Sequence, residues 1–158
     1  MLTSKISMKN NKIKPIDILL VEDNNADIRL TQEVFKGGKI RKTLNIAMDG
    51  EEAMSYLYKK GKFSDTKTPD LVLLDLNLPK KDGRTVLAEI KNDIKLKCIP
   101  VIILTTSSNE EDILNTYSNH ANCYIIKPID LDQFVNVVKS VEDFWLSIVK
   151  LPKFEIAD

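Results

Sequence analysis

Histidine is nearly missing from this 158-residue chain, which has one, His120, alongside two cysteines, five glycines and six prolines. His120 sits in Ser118-Asn119-His120-Ala121, a stretch that reads as an exposed loop. One histidine in a turn makes the chain a poor candidate for a histidine kinase or a phosphotransfer helix. Cys98 and Cys123 are too few and too far apart for a disulfide framework or a zinc site, so a reducing cytoplasm is the expected home. No apolar run approaches the roughly 20 residues that a membrane span needs. Neither sign of charge is in excess, because Lys plus Arg and Asp plus Glu are both 23. That balance argues against a broad electrostatic grip on nucleic acid or an anionic membrane. There is no internal repeat and no low-complexity segment.

What is present is an ordinary globular composition, 43% hydrophobic and 29% charged, in a chain the length of one domain. Lys5, Lys9, Lys12 and Lys14 come without an acid and without an apolar segment that could serve a signal peptide. Residues 1–14 are therefore expected to be a disordered basic tail. From residue 15 onward, short apolar runs alternate with amphipathic stretches, the pattern of an α/β domain. The expected strands are Ile18–Val21, Leu44–Met48, Leu71–Leu74, Val101–Leu104 and Cys123–Ile126. The first, third and fourth are almost wholly apolar, as central parallel strands are, while the second has the polarity of an edge.

Five helices are expected between and after these strands. Ala26, Leu30 and Val34 line a face of the first, which Gly37-Gly38 ends. Ala53, Met54, Leu57 and Tyr58 mark the second, and Val86, Leu87, Ile90 and Ile94 the third. Ser107 and Ser108, each three residues before a glutamate, predict a capping box opening the fourth. Asp130 precedes a long fifth helix through Phe134, Val138, Val141, Trp145 and Ile148. Connections are short apart from the polar loop Gly61–Pro69. Asp82-Gly83 reads as a turn signal only. Right-handed crossovers then predict a doubly wound, flavodoxin-like sheet of five parallel strands in the order 2-1-3-4-5.

In such a sheet the chemistry gathers at the carboxyl ends of the strands. The first strand ends in Glu22 and Asp23, the third in Asp75, the fourth in Thr105, with Thr106 beside it, and the fifth in Lys127-Pro128. Clustered carboxylates repel, so they need a cation or raised pKa values. Oxygen-only ligands favour a hard ion, and Mg²⁺ suits a site of a few carboxylates and waters. A lysine and a hydroxyl beside that cation complete an anion site suited to phosphoryl oxygens.

These residues, Glu22-Asp23, Asp75 in LVLLDLNLPKKDG, Thr105 in VIILTTS and Lys127-Pro128 in CYIIKP, resemble the receiver domain of two-component response regulators over about residues 16–142. Thr105 lies 30 positions beyond Asp75, and Lys127 lies 22 beyond Thr105, so four motifs fall in register. The resemblance implies that Asp75 is the phosphoacceptor for the phosphohistidine of a partner kinase. It implies that Asp23, Asp75 and the Asn77 backbone carbonyl bind Mg²⁺, with Glu22 acting through water. Thr105 and Lys127 would hold the phosphoryl oxygens, Tyr124 would swing with the Thr105 hydroxyl, and the Lys127–Pro128 bond would be cis. Asn77 and Ser107 stand where the family tunes phosphoryl lifetime. VEDNNADIRLTQEVF, LDLNLPKKDGRTVLAEIK, NCYIIKP and FWLSIVKLP are similar to the phytochrome-associated single-domain regulators, implying a sensor histidine kinase, of phytochrome class, as partner.

The expected function is a stand-alone phosphorylation switch, not an enzyme, that signals by binding another protein or by relay to a phosphotransfer protein. A haloacid-dehalogenase-like phosphatase also uses an Asp nucleophile and Mg²⁺, but it needs an Asp-x-Asp early in the chain and Asp75-Leu76-Asn77 lacks the second acid. In a flavodoxin-like FMN binder, acids would not follow the first strand. An unphosphorylated scaffold would have lost key residues. The boundaries expected are a receiver at 15–143 and an extension of the last helix at 144–158. Val137, Phe144 and Leu151 recur at seven-residue steps there. They suggest a homodimer through helix four, strand five and helix five, extended by Phe144–Pro152.

Overall fold

The computed structural model describes residues 14–153. The basic tail expected at 1–14 lies, but for Lys14, outside the described residues, as does the end of the C-terminal extension. Strand β1 (Ile16–Val21) leads to α1 (Asn25–Lys36), β2 (Lys42–Ala47) to α2 (Gly50–Leu57), and β3 (Leu71–Leu74) to α3 (Gly83–Asn92). Then come β4 (Val101–Thr105), α4 (Glu110–Ser118), β5 (Cys123–Ile126) and α5 (Leu131–Val141). The expected polar loop Gly61–Pro69 contains one short 3₁₀ turn, Gly61–Phe63. All strand pairs are parallel, in the order β2-β1-β3-β4-β5, as the sequence predicts.

Because successive side chains on a strand point to opposite faces, each central strand feeds two cores. Leu19, Val21, Val72, Leu74, Val101 and Ile103 pack with α2 and α3 on one face. Ile18, Leu20, Leu71, Leu73, Ile102 and Leu104 pack with α1 and α5 on the other. Each fully buried Leu, Ile or Val contributes about 1.5–3 kcal/mol by leaving water. This double-sided burial is what makes β1, β3 and β4 read as unbroken apolar runs.

Several helical details depart from expectation. The buried stripe of α1 is Ile28, Thr31 and Phe35, while Ala26 is exposed and Leu30 and Val34 are half-buried. α3 stops at Asn92, so Ile94 lies beyond it and is exposed. The cap of α4 is Asn109, whose side chain accepts the Glu111 N–H, leaving Ser107 and Ser108 outside the helix. α5 ends sooner than expected and passes into a wider π turn at Glu142–Leu146. That turn shifts the helical phase, burying Leu146, half-burying Trp145 and turning Ile148 out to solvent. At its start, Glu142 pairs with Lys42 of β2 at 2.9 Å, both side chains under a tenth exposed, and the carboxylate occupies the space that a side chain at Gly38 would take.

Central strand residues should dominate stability. We expect Ile103→Ala, at a fully buried position between β3 and β5, to lose about 2–5 kcal/mol in urea denaturation with little change in slope.

Candidate functional site

Register brings the site together. Val21 of β1 lies beside Leu74 of β3, so the next residues, Glu22 and Asp75, emerge side by side. The Asp75 N–H donates to the Val21 carbonyl at 3.0 Å, which fixes this step. Leu74 pairs with Ile103 of β4, so β4 reaches Thr105 at the same edge, and Thr105 pairs with Ile126 of β5. The Lys127 N–H then donates to the Thr105 carbonyl at 2.7 Å.

All the carboxylates expected here converge, and one ammonium reaches two of them, Glu22 and Asp75. Glu22, Asp23 and Asp75 each offer an oxygen within 4.8 Å of the others. The Lys127 ammonium donates to Glu22 in a very short contact, to Asp27 at 2.9 Å and to Asp75 at 3.4 Å. Glu22, Asp75 and Lys127 are buried, whereas Asp23 is exposed. Burial pushes the Glu22 carboxyl up to about 7, only partly opposed by Lys127. Burial alone would pull the Lys127 ammonium down, but Glu22 first, then Asp75 and Asp27, outweigh it and hold it above its ordinary value. The two shifts have different leading causes, burial for Glu22 and the facing carboxylates for Lys127.

The remaining expected residues surround this cluster. Asn77 is exposed, and its N–H donates to Asp75 Oδ1 at 3.3 Å. Thr105 points inward, fully buried, and its hydroxyl has no hydrogen-bond partner, while Thr106 points out. A buried hydroxyl without a partner is costly unless something fills its need. Tyr124 is half-buried and its hydroxyl donates to the Ser107 carbonyl at 2.8 Å. One expectation is overturned: no peptide bond among the described residues is cis, so Lys127–Pro128 is trans. Trans is the lower-energy isomer even before proline, and the Lys127 ammonium reaches all three carboxylates without the cis form.

Two features escaped the sequence reading. Asp27 joins the cluster from the first turn of α1, and its one signal was that it is an acid near the start of the helix that follows Glu22-Asp23. Gly83 is more than a turn. Its N–H donates to the Leu76 carbonyl at 2.8 Å, and a Cβ there would lie 2.1 Å from the Asp75 carbonyl oxygen. Only glycine lets α3 start so close beneath the site. His120 is exposed, with φ of 67°, and takes no part.

Residues 18–139 match the response regulator receiver domain family. The chain belongs to that family. This receiver domain is 50% identical over 145 residues to response regulator Rcp1 of Synechocystis sp., covering 92% of this chain and 99% of that protein. The crystal structure of the Mn²⁺-bound form of Rcp1 is similar at a TM-score of 0.87 and 51% identity, covering 88% of this chain and all (100%) of that one. That of the phosphorylated cyanobacterial phytochrome response regulator RcpA gives 0.86 and 52%, covering 89% of this chain and 100% of that one. The receiver domain is thus a phosphorelay signalling domain whose partner class is the histidine kinase. Its uncompensated oxygen cluster fits a divalent cation, because carboxylates alone favour a hard ion and one lysine leaves charge to neutralise. Among the described residues no helix is long and apolar enough to cross a membrane.

A pH dependence follows from Glu22. In the folded chain its carboxyl titrates near 7, whereas in the unfolded chain it titrates near 4.5. The folded state therefore retains a proton that the unfolded state has lost, a contribution present below the lower value and lost as pH rises through 7. In chelator-treated protein, the melting temperature should fall between pH 5 and pH 8, and Glu22→Gln should flatten that slope.

Proposed function

We propose that this receiver domain takes a phosphoryl group onto Asp75 from the phosphohistidine of a sensor histidine kinase of phytochrome class. A carboxylate oxygen of Asp75 attacks phosphorus, the P–N bond breaks, and the histidine nitrogen leaves with its electron pair and takes up a proton. The Lys127 ammonium, already 3.4 Å from Asp75, neutralises phosphoryl oxygens. The Thr105 hydroxyl donates to one of them, and that need is what its unpartnered, buried state leaves open. The Asp23 and Asp75 side chains and the Asn77 carbonyl would hold Mg²⁺, with Glu22 acting through water. Bound there, Mg²⁺ would supply charge that offsets the phosphoryl oxygens. The observation that carries this reading is the joining of a buried carboxylate, a buried ammonium and an orphaned hydroxyl at three adjacent strand ends. The phosphorylated state of the relative RcpA supports it.

Tyr124, hydrogen-bonded to the loop after β4, reports phosphorylation to the surface of α4, β5 and α5. From there the signal passes to a bound protein or onward to a phosphotransfer protein. We read residues 15–143 as the receiver proper, 144–158 as a C-terminal extension, and the cytoplasm as the location. The group turns over by hydrolysis of the aspartyl phosphate within the domain, with no other substrate. A small phosphodonor with Mg²⁺ should add the mass of one phosphoryl group, acid-stable and alkali-labile, at Asp75. Asp75→Asn should abolish labelling, and Lys127→Ala should still label but switch weakly. Labelling that persists in Asp75→Asn overturns the assignment.

We further place a homodimer contact on α4, β5, α5 and Phe144–Pro152. Leu114, Tyr117, Ile126, Phe144 and Ile148 are exposed on these segments. Tyr117, Ile125 and Phe144 line a groove of about 370 Å³ among them. Analytical ultracentrifugation at tens of micromolar should show dimers, and persistent monomers with and without a phosphoryl mimic would end the idea.

A further inference from the structure

The loop that follows Thr105 is held at both ends of a single residue. The Ser107 carbonyl accepts the Tyr124 hydroxyl at 2.8 Å, and the Ser107 hydroxyl donates to Asp112 Oδ2 at 2.7 Å. Asp112, on α4, is gripped by both arms of the Arg84 guanidinium of α3: Nε donates to Oδ1 and Nη2 to Oδ2, each at 2.7 Å. The third Arg84 nitrogen, Nη1, donates to Asp82 at 3.0 Å. Asp82 caps α3, and the neighbouring Gly83 N–H holds the Leu76 carbonyl, one residue beyond Asp75. A chain of hydrogen bonds therefore runs from the loop after β3 to the loop after β4, and the Arg84–Asp112 pair is the only link of it that crosses between α3 and α4.

An isolated surface ion pair contributes little. This one is bidentate, its geometry is fixed at both nitrogens, and Asp112 is committed to Ser107 as well. The Arg84 hydrogen bonds, then the Ser107 hydroxyl, hold the Asp112 carboxyl down to about 2, so the link stays charged at every ordinary pH. The segment it fastens, Thr106–Asn109, directly follows Thr105, whose hydroxyl is buried away from solvent in spite of having no partner.

The geometry points to Arg84 and Asp112 as positioning residues: their pair latches the loop after β4 through Ser107, keeps water from the Thr105 side of the site, and so prolongs the life of the phosphoryl group on Asp75. Neither residue touches the reacting atoms. The inference rests on the reading of Asp75 as phosphoacceptor, and goes beyond it in assigning the control of hydrolysis to a contact between two helices.

The test is the decay of phosphorylated full chain after removal of acetyl phosphate, followed by intact mass. Arg84→Ala and Asp112→Ala should each shorten the half-life roughly fivefold, and the double variant no further, because both break one link. Arg84→Lys, which keeps the charge but not the paired geometry, should fall between. Titration with Mn²⁺ alone, read by electron paramagnetic resonance, should give unchanged affinity, since Glu22, Asp23 and Asp75 are untouched. Half-lives equal to or longer than that of the parent, additive effects in the double variant, or a parallel loss of Mn²⁺ affinity would each overturn the latch. If the parent chain itself fails to label, the phosphoacceptor reading falls first and the latch with it.

Discussion

One buried ammonium answers to three carboxylates, and the rest of the architecture accommodates that imbalance. Lys127 lies among Glu22, Asp27 and Asp75 in a place where water is scarce. Taking such charges from water costs several kcal/mol each, and removing one partner of a buried pair typically costs about 3–5 kcal/mol. The cluster is therefore a cost to the fold rather than a source of its stability. Its surplus of negative charge is a standing demand for a cation, and its lysine is a standing offer to an anion. Those two properties are what the proposed phosphoryl transfer to Asp75 draws on.

Backbone geometry alone assembles that cluster. Parallel pairing in register sends the ends of β1, β3, β4 and β5 to one edge, so residues far apart in sequence become neighbours. Hydrogen bonds at the strand exits, Asp75 to Val21 and Lys127 to Thr105, extend the ladder into the site itself. Close approach does the rest. Gly50 and Gly83 each admit a carbonyl to within about 2 Å of where a Cβ would sit, drawing α2 and α3 against the loop after β3. The side chains of the candidate site thus stand at the ends of strands buried in both cores, with loops around them.

Strand order, the two cores and the identity of the strand-end residues were legible because they depend on patterns the sequence carries openly: unbroken apolar runs and charges that interrupt them. Thr105 could be distinguished from Thr106 by spacing, and the alternation of faces along β4 places it inward. What depends on small angles was not legible. The stripe of α1 falls on Ile28, Thr31 and Phe35 because a buried threonine can bond its own helix, and Thr31 does so through the Asp27 carbonyl. Ser107 resembled a helix cap, yet Asn109 caps α4 and frees Ser107 for Asp112. The π turn at Glu142–Leu146 has no periodicity to betray it, and it moved Ile148 from the expected core to solvent. The trans bond at Lys127–Pro128 shows the limit of resemblance, which supplies a geometry where the residues alone specify only a reach.

The buried pair of Lys42 and Glu142 gives the fold a property that no strand or helix has by itself. It joins the edge strand β2 to the turn that ends α5, across 100 residues of chain, and Lys42 also donates to the Ile40 carbonyl and lies over the Phe35 ring. Helix ends ordinarily fray at little cost. Here, peeling the turn away would strand a cation in an apolar setting, so the last turn opens only with the edge of the sheet. The two margins of the domain are therefore one cooperative unit, and whatever binds near Phe144 acts on an element anchored at the far side of the molecule.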